Sequence, residues 1–294
     1  MHDNVKNLAK LVRIDCLKMV HKSNSSHIGS ALSIVDILAV LYANILKYDC
    51  QNPEFSDRDR FILSKGHACC AVYAILAHSK FFDIDLLPSF AQDGSNLMSH
   101  ISHKVPGVEF STGSLGHGLP FGVGKAIVSK RTGQEWRTYV LLSDGELDEG
   151  SNWEAIMFAA HFQLDNLVII VDYNRLQSLC STDKTIRLEP LVDKFEAFGL
   201  HCIEVDGHGV NELNTAFFDA SNIKGKPTII IAHTVKGKGV SFMENNPGFH
   251  GKAPTVEQLI AALHELKFSK KSVLEAGKEM NISDSLLSKI SENY

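Results

Sequence analysis

Histidines that stand beside glycine or serine are the most chemically suggestive residues of this sequence. The chain holds 14 histidines, and several lie in the short segments SSHIGS, SKGHAC, LMSHISH, SLGHGL and GFHGKA. A core histidine usually sits in an apolar helix or strand, whereas imidazoles on Gly/Ser loops are placed where they can contact a ligand. The pattern therefore predicts a site lined by groups that hydrogen-bond and transfer protons near neutral pH.

An acidic segment, YVLLSDGELDEGSNWEA (139–155), indicates a second kind of chemistry. Asp144 follows one apolar run, and Asn174 follows another, Leu167–Asp172. If the runs are parallel strands joined by a helix, a right-handed crossover brings their carboxyl ends to one edge of a sheet. Carboxylate and amide oxygens there suit Mg²⁺, which takes few protein ligands together with phosphate and water. Gly145 would let a phosphate approach the backbone at a helix start.

The elements that must position these residues follow from hydrophobic patterning. Helical spacing predicts one helix over 4–20 and another over 33–46, with Ser33 as the N-cap. Short apolar runs separated by helical segments are typical of an α/β fold with a parallel sheet covered on both faces. The predicted strands are Phe61–Leu63, RTYVLLSD, NLVIIVDYN, HCIEVDG and PTIIIAHT, and further helices begin near Ala68 and cover SNWEAIMFAAHFQL.

Composition limits the class of protein. The chain has 294 residues, of which 44% are hydrophobic and 21% charged, an ordinary globular balance. A net charge of −5 without Lys/Arg runs argues against nucleic-acid binding. The sequence has no segment of signal-peptide type and no long apolar window, so no membrane association is expected. Six cysteines without zinc spacing are interpreted as reduced thiols of a cytoplasmic protein.

Five motifs occur in the order and spacing of a known family. SDGELDEGSNWEA followed by NLVIIVDYN resembles the thiamine diphosphate signature that begins with GDG and ends in Asn. SSHIG, DRDRFILSKGHA, HISHKVPGVEFSTGSLGHGL and HTVKGKGVSFMENNPGFHGKAP are similar to motifs of transketolases in particular. The resemblance covers roughly residues 5–265. It implies the thiamine-diphosphate-binding fold, with a central, mostly parallel sheet and helices on both faces.

The resemblance also implies which residues hold the cofactor. Asp144, Asn174 and the backbone carbonyl of Leu176 would bind Mg²⁺. The diphosphate would meet His67, Gly145 and His250, and the aminopyrimidine would lie near Gly113 and Leu115. The full set implied to bind cofactor is His67, Gly113, Leu115, Asp144, Gly145, Glu149, Asn174, Leu176 and His250.

Catalytic roles are implied in the same way. His27 and His100 would face the reacting carbon and the substrate hydroxyls. Glu149 and Glu154 match positions where family members link two active sites across a subunit interface. The set implied to take part in catalysis is His27, His67, His100, His250, Glu149 and Glu154.

Other residues of these motifs have different or open interpretations. Glu146 and Asp148 are expected to face solvent, and Trp153 is expected in the core. Ser143 departs from the family, because it stands where the first glycine is usual and its Cβ would narrow the approach to phosphate. Three residues could face either the site or solvent, depending on how their loops turn: His103, His117 and Lys236.

The glutamate that activates the cofactor lies in the family's second, pyrimidine-binding domain. Residues 1–265 are interpreted as the diphosphate-binding domain and 266–294 as a mostly helical tail that does not resemble that second domain. We therefore expect the N-terminal subunit of a split transketolase, active with a separate pyrimidine-domain chain in an α2β2 assembly. The implied reaction moves a two-carbon ketol unit from a ketose, or its phosphate, to an aldose acceptor.

Two alternatives remain open. One is a deoxyxylulose-phosphate synthase-like or other acyloin-forming enzyme, although TGSLGHGL and PGVEFS favour transketolase. The other is a non-catalytic subunit that binds cofactor to scaffold or regulate a partner, against which the intact histidine motifs argue.

Overall fold

The computed structural model describes residues 2–267. The predicted tail, 266–294, therefore lies outside the described residues except for its first two positions. Within residues 2–267, five strands form one sheet: β1 Arg60–Leu63, β2 Thr138–Ser143, β3 Leu167–Tyr173, β4 His201–Asp206 and β5 Thr228–His233.

The sheet has the order β1-β2-β3-β5-β4, and every neighbouring pair is parallel. Ser143 at the end of β2 lies opposite Asp172 in β3, so the two strands end side by side. The predicted arrangement of two strand ends at one edge is confirmed by this register. It places the polar residues after β2 and β3 next to each other.

Helices cover both faces of the sheet. Along each strand, successive residues contact opposite layers: Ile230 packs into the layer that contains α1, α3, α4 and α9, and Ile231 into the layer of α5, α6 and α8. The α-helices are α1 His2–Ser23, α2 Ile28–Leu32, α3 Val35–Val40, α4 Cys69–His78, α5 Gly118–Arg131, α6 Gly150–His161, α7 Thr182–Thr185, α8 Leu191–Ala197, α9 Val210–Asn222, α10 Gly248–Gly251 and α11 Val256–Glu265. Short 3-10 turns cover Gly66–Ala68, Ile84–Ser89 and Gly145–Asp148.

The predicted helix over 33–46 is divided. α2 and α3 are separate, and a π-helical turn, Leu41–Ile45, follows α3. Ser33 is not the N-cap that was predicted, because its hydroxyl donates to Asp172 Oδ2 at 2.6 Å and to the Ser30 carbonyl at 3.0 Å. A tertiary hydrogen bond to a buried carboxylate thus replaces the local capping bond.

Two expectations drawn from composition can be compared with this fold. Between residues 2 and 267, no helix is long and apolar enough to cross a membrane. All six cysteines lie in the same range and are free thiols, as expected.

Candidate active site

A cavity of about 250 Å³ opens at the carboxyl edge of the sheet. It brings together every residue implied by the sequence for cofactor binding and catalysis except Glu149 and Glu154. Its lining is His27, Ser30, His67, His100, Gly113, Leu115, Ser143, Asp144, Gly145, Asn174, Leu176, Gln177, Ser178, Lys236 and His250. A wider groove of about 360 Å³ near the start of β2 gathers none of these groups.

Four histidines form one cluster in this cavity. The His27 ring lies 5.0 Å from the His67 ring, 4.9 Å from that of His250 and 5.8 Å from that of His100, measured between centroids. His27 has a left-handed backbone (φ 74°), and its amide donates to the His250 carbonyl at 2.7 Å. This bond joins the loop before α2 to the helical turn α10, and so holds two segments that are far apart in sequence.

The environment keeps three of these imidazoles neutral. Burial, followed by the charges of His100 and Lys236, lowers the pKa of His27 to about 4. Burial and the Lys236 charge lower the pKa of His250 to about 4, and burial with Lys65 lowers that of His67 well below its usual range. A neutral imidazole has one donor and one acceptor nitrogen, so the cluster can both give and take hydrogen bonds at neutral pH.

The opposite side of the cavity is acidic. Asp144 is 1% exposed, and its carboxylate accepts from the amides of Gly145 (2.7 Å) and Arg175 (2.5 Å). Burial, and then the neighbouring charge of Asp172, raise the pKa of Asp144 to about 7. A buried carboxylate in this environment is stabilised by a bound cation, which favours its ionised form.

Oxygens for such a cation converge beside Asp144. Asn174 Oδ1 accepts from the Leu176 amide at 3.1 Å, which turns the segment after β3 back toward the cavity. The Leu176 carbonyl accepts from Lys236 Nζ at 3.0 Å and, with two lone pairs, can serve a second partner. The donor set of carboxylate, amide and carbonyl oxygens fits Mg²⁺.

The side-chain amide of Asn174 is held by a fully buried ion pair between Asp172 and Lys65. Asp172 Oδ2 accepts from Lys65 Nζ at 2.5 Å and from Asn174 Nδ2 at 3.0 Å, while Thr234 donates to its other oxygen. Burial acts to raise the pKa of Asp172, but the charge and the hydrogen bond of Lys65 outweigh burial and lower this pKa. Sequence reasoning missed Lys65; its place directly before the GH of the second histidine motif was the available signal.

The backbone of Gly145 also lines the cavity. A Cβ at Gly145 would lie 2.9 Å from Gln177 Cγ, so a side chain there would crowd the opening. Lys236 is 3% exposed, and its ammonium donates to the carbonyls of Leu176 and Gln177. Of the two interpretations left open for Lys236, the structure therefore supports the one in which it faces the site. His250 Nδ1 is buried without a partner and is left for a ligand to satisfy.

The expectation that Glu146 faces solvent is wrong. Its side chain is fully buried (0% exposed), and it accepts from the Ser64 hydroxyl, the Gly116 amide at 2.9 Å and the Ser143 amide at 3.3 Å. The cause is the 3-10 turn after β2, which directs this carboxylate under the sheet edge toward the start of α5.

Asp148 also departs from its prediction. It is half-buried rather than solvated, because the same turn brings its carboxylate within 2.8 Å of the donor Gln177 Nε2. Trp153 packs beside the core as expected, stacked on Phe195 with a centroid separation of 5.4 Å.

Several residues of the motifs lie outside the cavity. Glu149 and Glu154 are exposed at the beginning of α6, where their proposed role across an interface stays a prediction. His103 and His117 are exposed; His103 Nδ1 is 2.6 Å from Ser111 Oγ. These loops turn both imidazoles away from the cluster. Ser143 does line the cavity, and its hydroxyl accepts from the Glu146 amide at 3.3 Å.

Comparison with known proteins gives the family of this chain. The profile of the family described as transketolase, thiamine diphosphate binding domain, matches residues 4–284. The chain is 41% identical over 268 residues to one subunit of the apulose-4-phosphate transketolase from Actinobacillus succinogenes, covering 90% of this chain and 97% of that protein. It is 39% identical to the 6-deoxy-6-sulfo-D-fructose transketolase subunit SqwG from Clostridium sp., covering 90% and 96%.

Solved structures agree with these relatives. A transketolase from Campylobacter jejuni superposes with a TM-score of 0.86 at 30% identity, covering 99% of this chain and 48% of that one. The chain thus spans about half the length of the structurally characterised transketolase and nearly all of the two subunits. The cavity at the sheet edge, the family profile and these relatives agree, and the chain belongs to the family of thiamine-diphosphate-binding domains of transketolases.

Proposed function

We propose that this chain is the diphosphate-binding subunit of a two-chain transketolase that transfers a two-carbon ketol unit from a ketose, or its phosphate, to an aldose. The observation that carries the proposal is the single cavity in which a buried Asp144 and Asn174 face a cluster of neutral histidines. Residues 1–265 would form the domain that holds this half of the site.

Thiamine diphosphate with Mg²⁺ is the proposed cofactor. Asp144, Asn174 and the Leu176 carbonyl would hold the metal, and Lys236 would offset the charge of the diphosphate, while the backbone of Gly145 allows close approach. The chemistry supplied by the bound cofactor is a nucleophilic carbon for the transferred unit. The chain's own contribution is to bind, orient and neutralise the charged end.

The histidines are proposed to act on the substrate. His27 lies at the centre of the cluster, and its Nδ1 is 3.0 Å from Ser26 Oγ, which leaves Nε2 for a ligand. His27 and His100 would hydrogen-bond the substrate oxygens and move protons between them as the carbon–carbon bond changes. Because His27 is neutral at pH 7, it can serve as donor or acceptor without first losing a proton.

A partner chain is part of the proposal. The relatives named above as subunits match this chain over nearly their whole length, and such names indicate a second component in those enzymes. We propose a second chain that carries the pyrimidine domain and completes an α2β2 assembly, in which the exposed Glu149 and Glu154 face the neighbouring chain. A cytoplasmic location is proposed as well, consistent with six free thiols.

The test is a transfer assay with both chains. A ketose phosphate carrying ¹³C at its first two carbons is offered with an aldose, thiamine diphosphate and Mg²⁺, and the products are followed by NMR. The proposal expects the labelled pair of carbons in a new ketose only when both chains are present. Cofactor binding without any transfer would indicate a scaffold role. In a parallel assay that offers pyruvate in place of the ketose phosphate, loss of CO₂ and formation of an acyloin would indicate an acyloin-forming enzyme.

A further inference from the structure

Behind the cavity lies a charged cluster that no part of the proposed chemistry uses. The Arg13 guanidinium of α1 donates to both carboxylate oxygens of Asp36 in α3, at 3.0 and 2.5 Å. His208, in the turn between β4 and α9, lies with Nδ1 2.7 Å from Asp36 Oδ2. The three side chains are between 9% and 13% exposed, and none of them lines the cavity. We call this group the Asp36 cluster.

The cluster holds one short segment, residues 235–238, from both sides. The Val235 amide donates to His208 Nε2 at 2.8 Å, and Arg13 Nε donates to the Lys238 carbonyl at 3.1 Å. Because Nε2 accepts a hydrogen bond from the Val235 amide, the His208 ring proton resides on Nδ1, which donates a hydrogen bond to Asp36. His208 is thus a bridge with a defined tautomer between a buried carboxylate and the main chain after β5.

Asp36 is suited to hold this bridge. Burial acts to raise the pKa of the Asp36 carboxyl. The hydrogen bond from His208 and the charge of Arg13 outweigh burial and lower this pKa to about 2. The carboxylate therefore remains ionised throughout the range in which an enzyme of this kind would work. Removing either partner of the buried Arg13–Asp36 pair leaves an uncompensated charge, so the observed geometry of this pair is strongly favoured.

Lys236 lies between Val235 and Lys238, the two residues that the Asp36 cluster anchors. Its ammonium reaches into the cavity and donates to the carbonyls of Leu176 and Gln177, both at 3.0 Å. A third anchor is the Gly237 amide, which donates to the Gly29 carbonyl at 2.9 Å. A flexible lysine on a loosely held loop would sample many positions, whereas here the backbone on both sides of Lys236 is fixed.

We propose that Arg13, Asp36 and His208 are positioning residues, which place the Lys236 ammonium in the diphosphate end of the cavity by clamping residues 235–238. This inference rests on the proposed cofactor site. It assigns to the Asp36 cluster an effect on cofactor binding that is exerted through one side chain, without contact between the cluster and the cofactor.

The test is a double-mutant cycle on the full chain in complex with its partner, with thiamine diphosphate and Mg²⁺ titrated by calorimetry. Lys236→Met is expected to raise the cofactor Kd on the order of 30-fold, and His208→Gln roughly tenfold. In the Lys236→Met background, His208→Gln is expected to change the Kd by less than about twofold. His201→Gln, at the other end of β4, is the matched control and should leave the Kd unchanged.

Two further readouts separate positioning from a general loss of stability. At saturating cofactor, kcat of His208→Gln is expected to remain within about twofold of the parent, so the loss is confined to the cofactor KM. In the cofactor-free complex, amide hydrogen exchange in residues 234–240 should accelerate in His208→Gln and not in His201→Gln. If His208→Gln is unstable, Arg13→Lys serves in its place, because it keeps a charge beside Asp36 but removes the Nε donor to Lys238. It should likewise raise the cofactor KM and leave kcat nearly unchanged.

The outcomes distinguish the two proposals. If His208→Gln weakens binding equally with and without Lys236, the cluster acts through general stability and the positioning role is overturned. If Lys236→Met leaves the Kd unchanged, Lys236 has no such role and the inference is overturned as well. In either case a loss of binding in Asn174→Ala would leave the proposed cofactor site standing.

Discussion

The two sides of the cavity are built differently. The side proposed to bind metal, which we call the metal side, consists of Asp144, Asn174 and the Leu176 carbonyl. It follows directly from the ends of two central strands and rests on the buried pair of Asp172 and Lys65. The histidine side, consisting of His27, His67, His100 and His250, comes from four separate loops and turns, and His100 is exposed.

The two kinds of placement suit two different roles, binding of a metal and contact with a reacting substrate. Oxygen ligands for a metal need rigid placement, and neighbouring parallel strands supply it. Groups that must follow a substrate through a reaction are better placed on loops over a rigid scaffold. We therefore expect substitutions on the metal side to remove cofactor binding, and substitutions of His27 or His100, the histidines assigned to the substrate, to slow turnover while binding persists.

The largest effect is expected on the metal side. Asn174→Ala removes one proposed oxygen ligand and the amide that donates to Asp172, so the cofactor Kd in Mg²⁺ should rise at least on the order of 100-fold. Calorimetry on the assembled complex measures it. Asn222→Ala, an exposed asparagine at the end of α9, serves as the control. Unchanged affinity in Asn174→Ala would show that the metal lies elsewhere.

The next effect concerns the histidine side. His27→Asn keeps a residue that tolerates the left-handed backbone at φ 74° but removes the imidazole from the cluster. The kcat for ketol transfer should fall about 100-fold while the cofactor Kd changes by less than about threefold. Steady-state kinetics at several cofactor concentrations separate the two quantities. A large change in Kd with kcat preserved would contradict the division between the two sides.

A third substitution tests the hydrogen bonds that connect the end of β2 to the loop before α5. Glu146 links the end of β2 to Gly116, in the loop that also carries Gly113 and Leu115. Glu146→Gln places an amide donor where the carboxylate accepts three hydrogen bonds, and the free energy of unfolding should fall by about 1–3 kcal/mol. Thermal or urea denaturation measures this loss. The exposed Glu135→Gln should behave as the parent, and equal stability of both variants would contradict the structural role of Glu146.

The smallest effect is a pH dependence with opposite signs on the two sides. In the cofactor-free chain the pKa values of His27 and His250 are lowered to about 4. Between pH 6.5 and 4 the unfolded state therefore binds more protons than the folded state. These two histidines thus lower the free energy of unfolding as pH falls through this range. The pKa of Asp144 is raised to about 7, so over the same range its protonation raises stability.

Melting temperatures between pH 7.5 and 4.5, measured with a chelator present, check this opposition. Relative to the parent, a His27→Asn, His250→Asn variant should lose less stability on acidification, and Asp144→Asn should lose more. Parallel curves for all three proteins would contradict the assigned pKa shifts.

Sequence alone was sufficient to locate the strands and to bring one pair of strand ends together. The apolar runs located β2 and β3, and the crossover rule then brought Asp144 and Asn174 to one edge. Three buried polar residues at or behind the cavity were missed, misplaced or left open for a common reason. Lys65, Glu146 and Lys236 owe their burial to turns and to packing between distant segments, which hydrophobic periodicity does not encode.

The most direct measurement is anomalous diffraction from Mn²⁺ in crystals of the assembled complex with thiamine diphosphate. We expect a single ion bound by the Asp144 carboxylate, the Asn174 amide oxygen and the Leu176 carbonyl at about 2.2 Å, with no imidazole among its ligands. An ion coordinated by His27, His67 or His250, or one located away from the ends of β2 and β3, would contradict the assignment of the two sides.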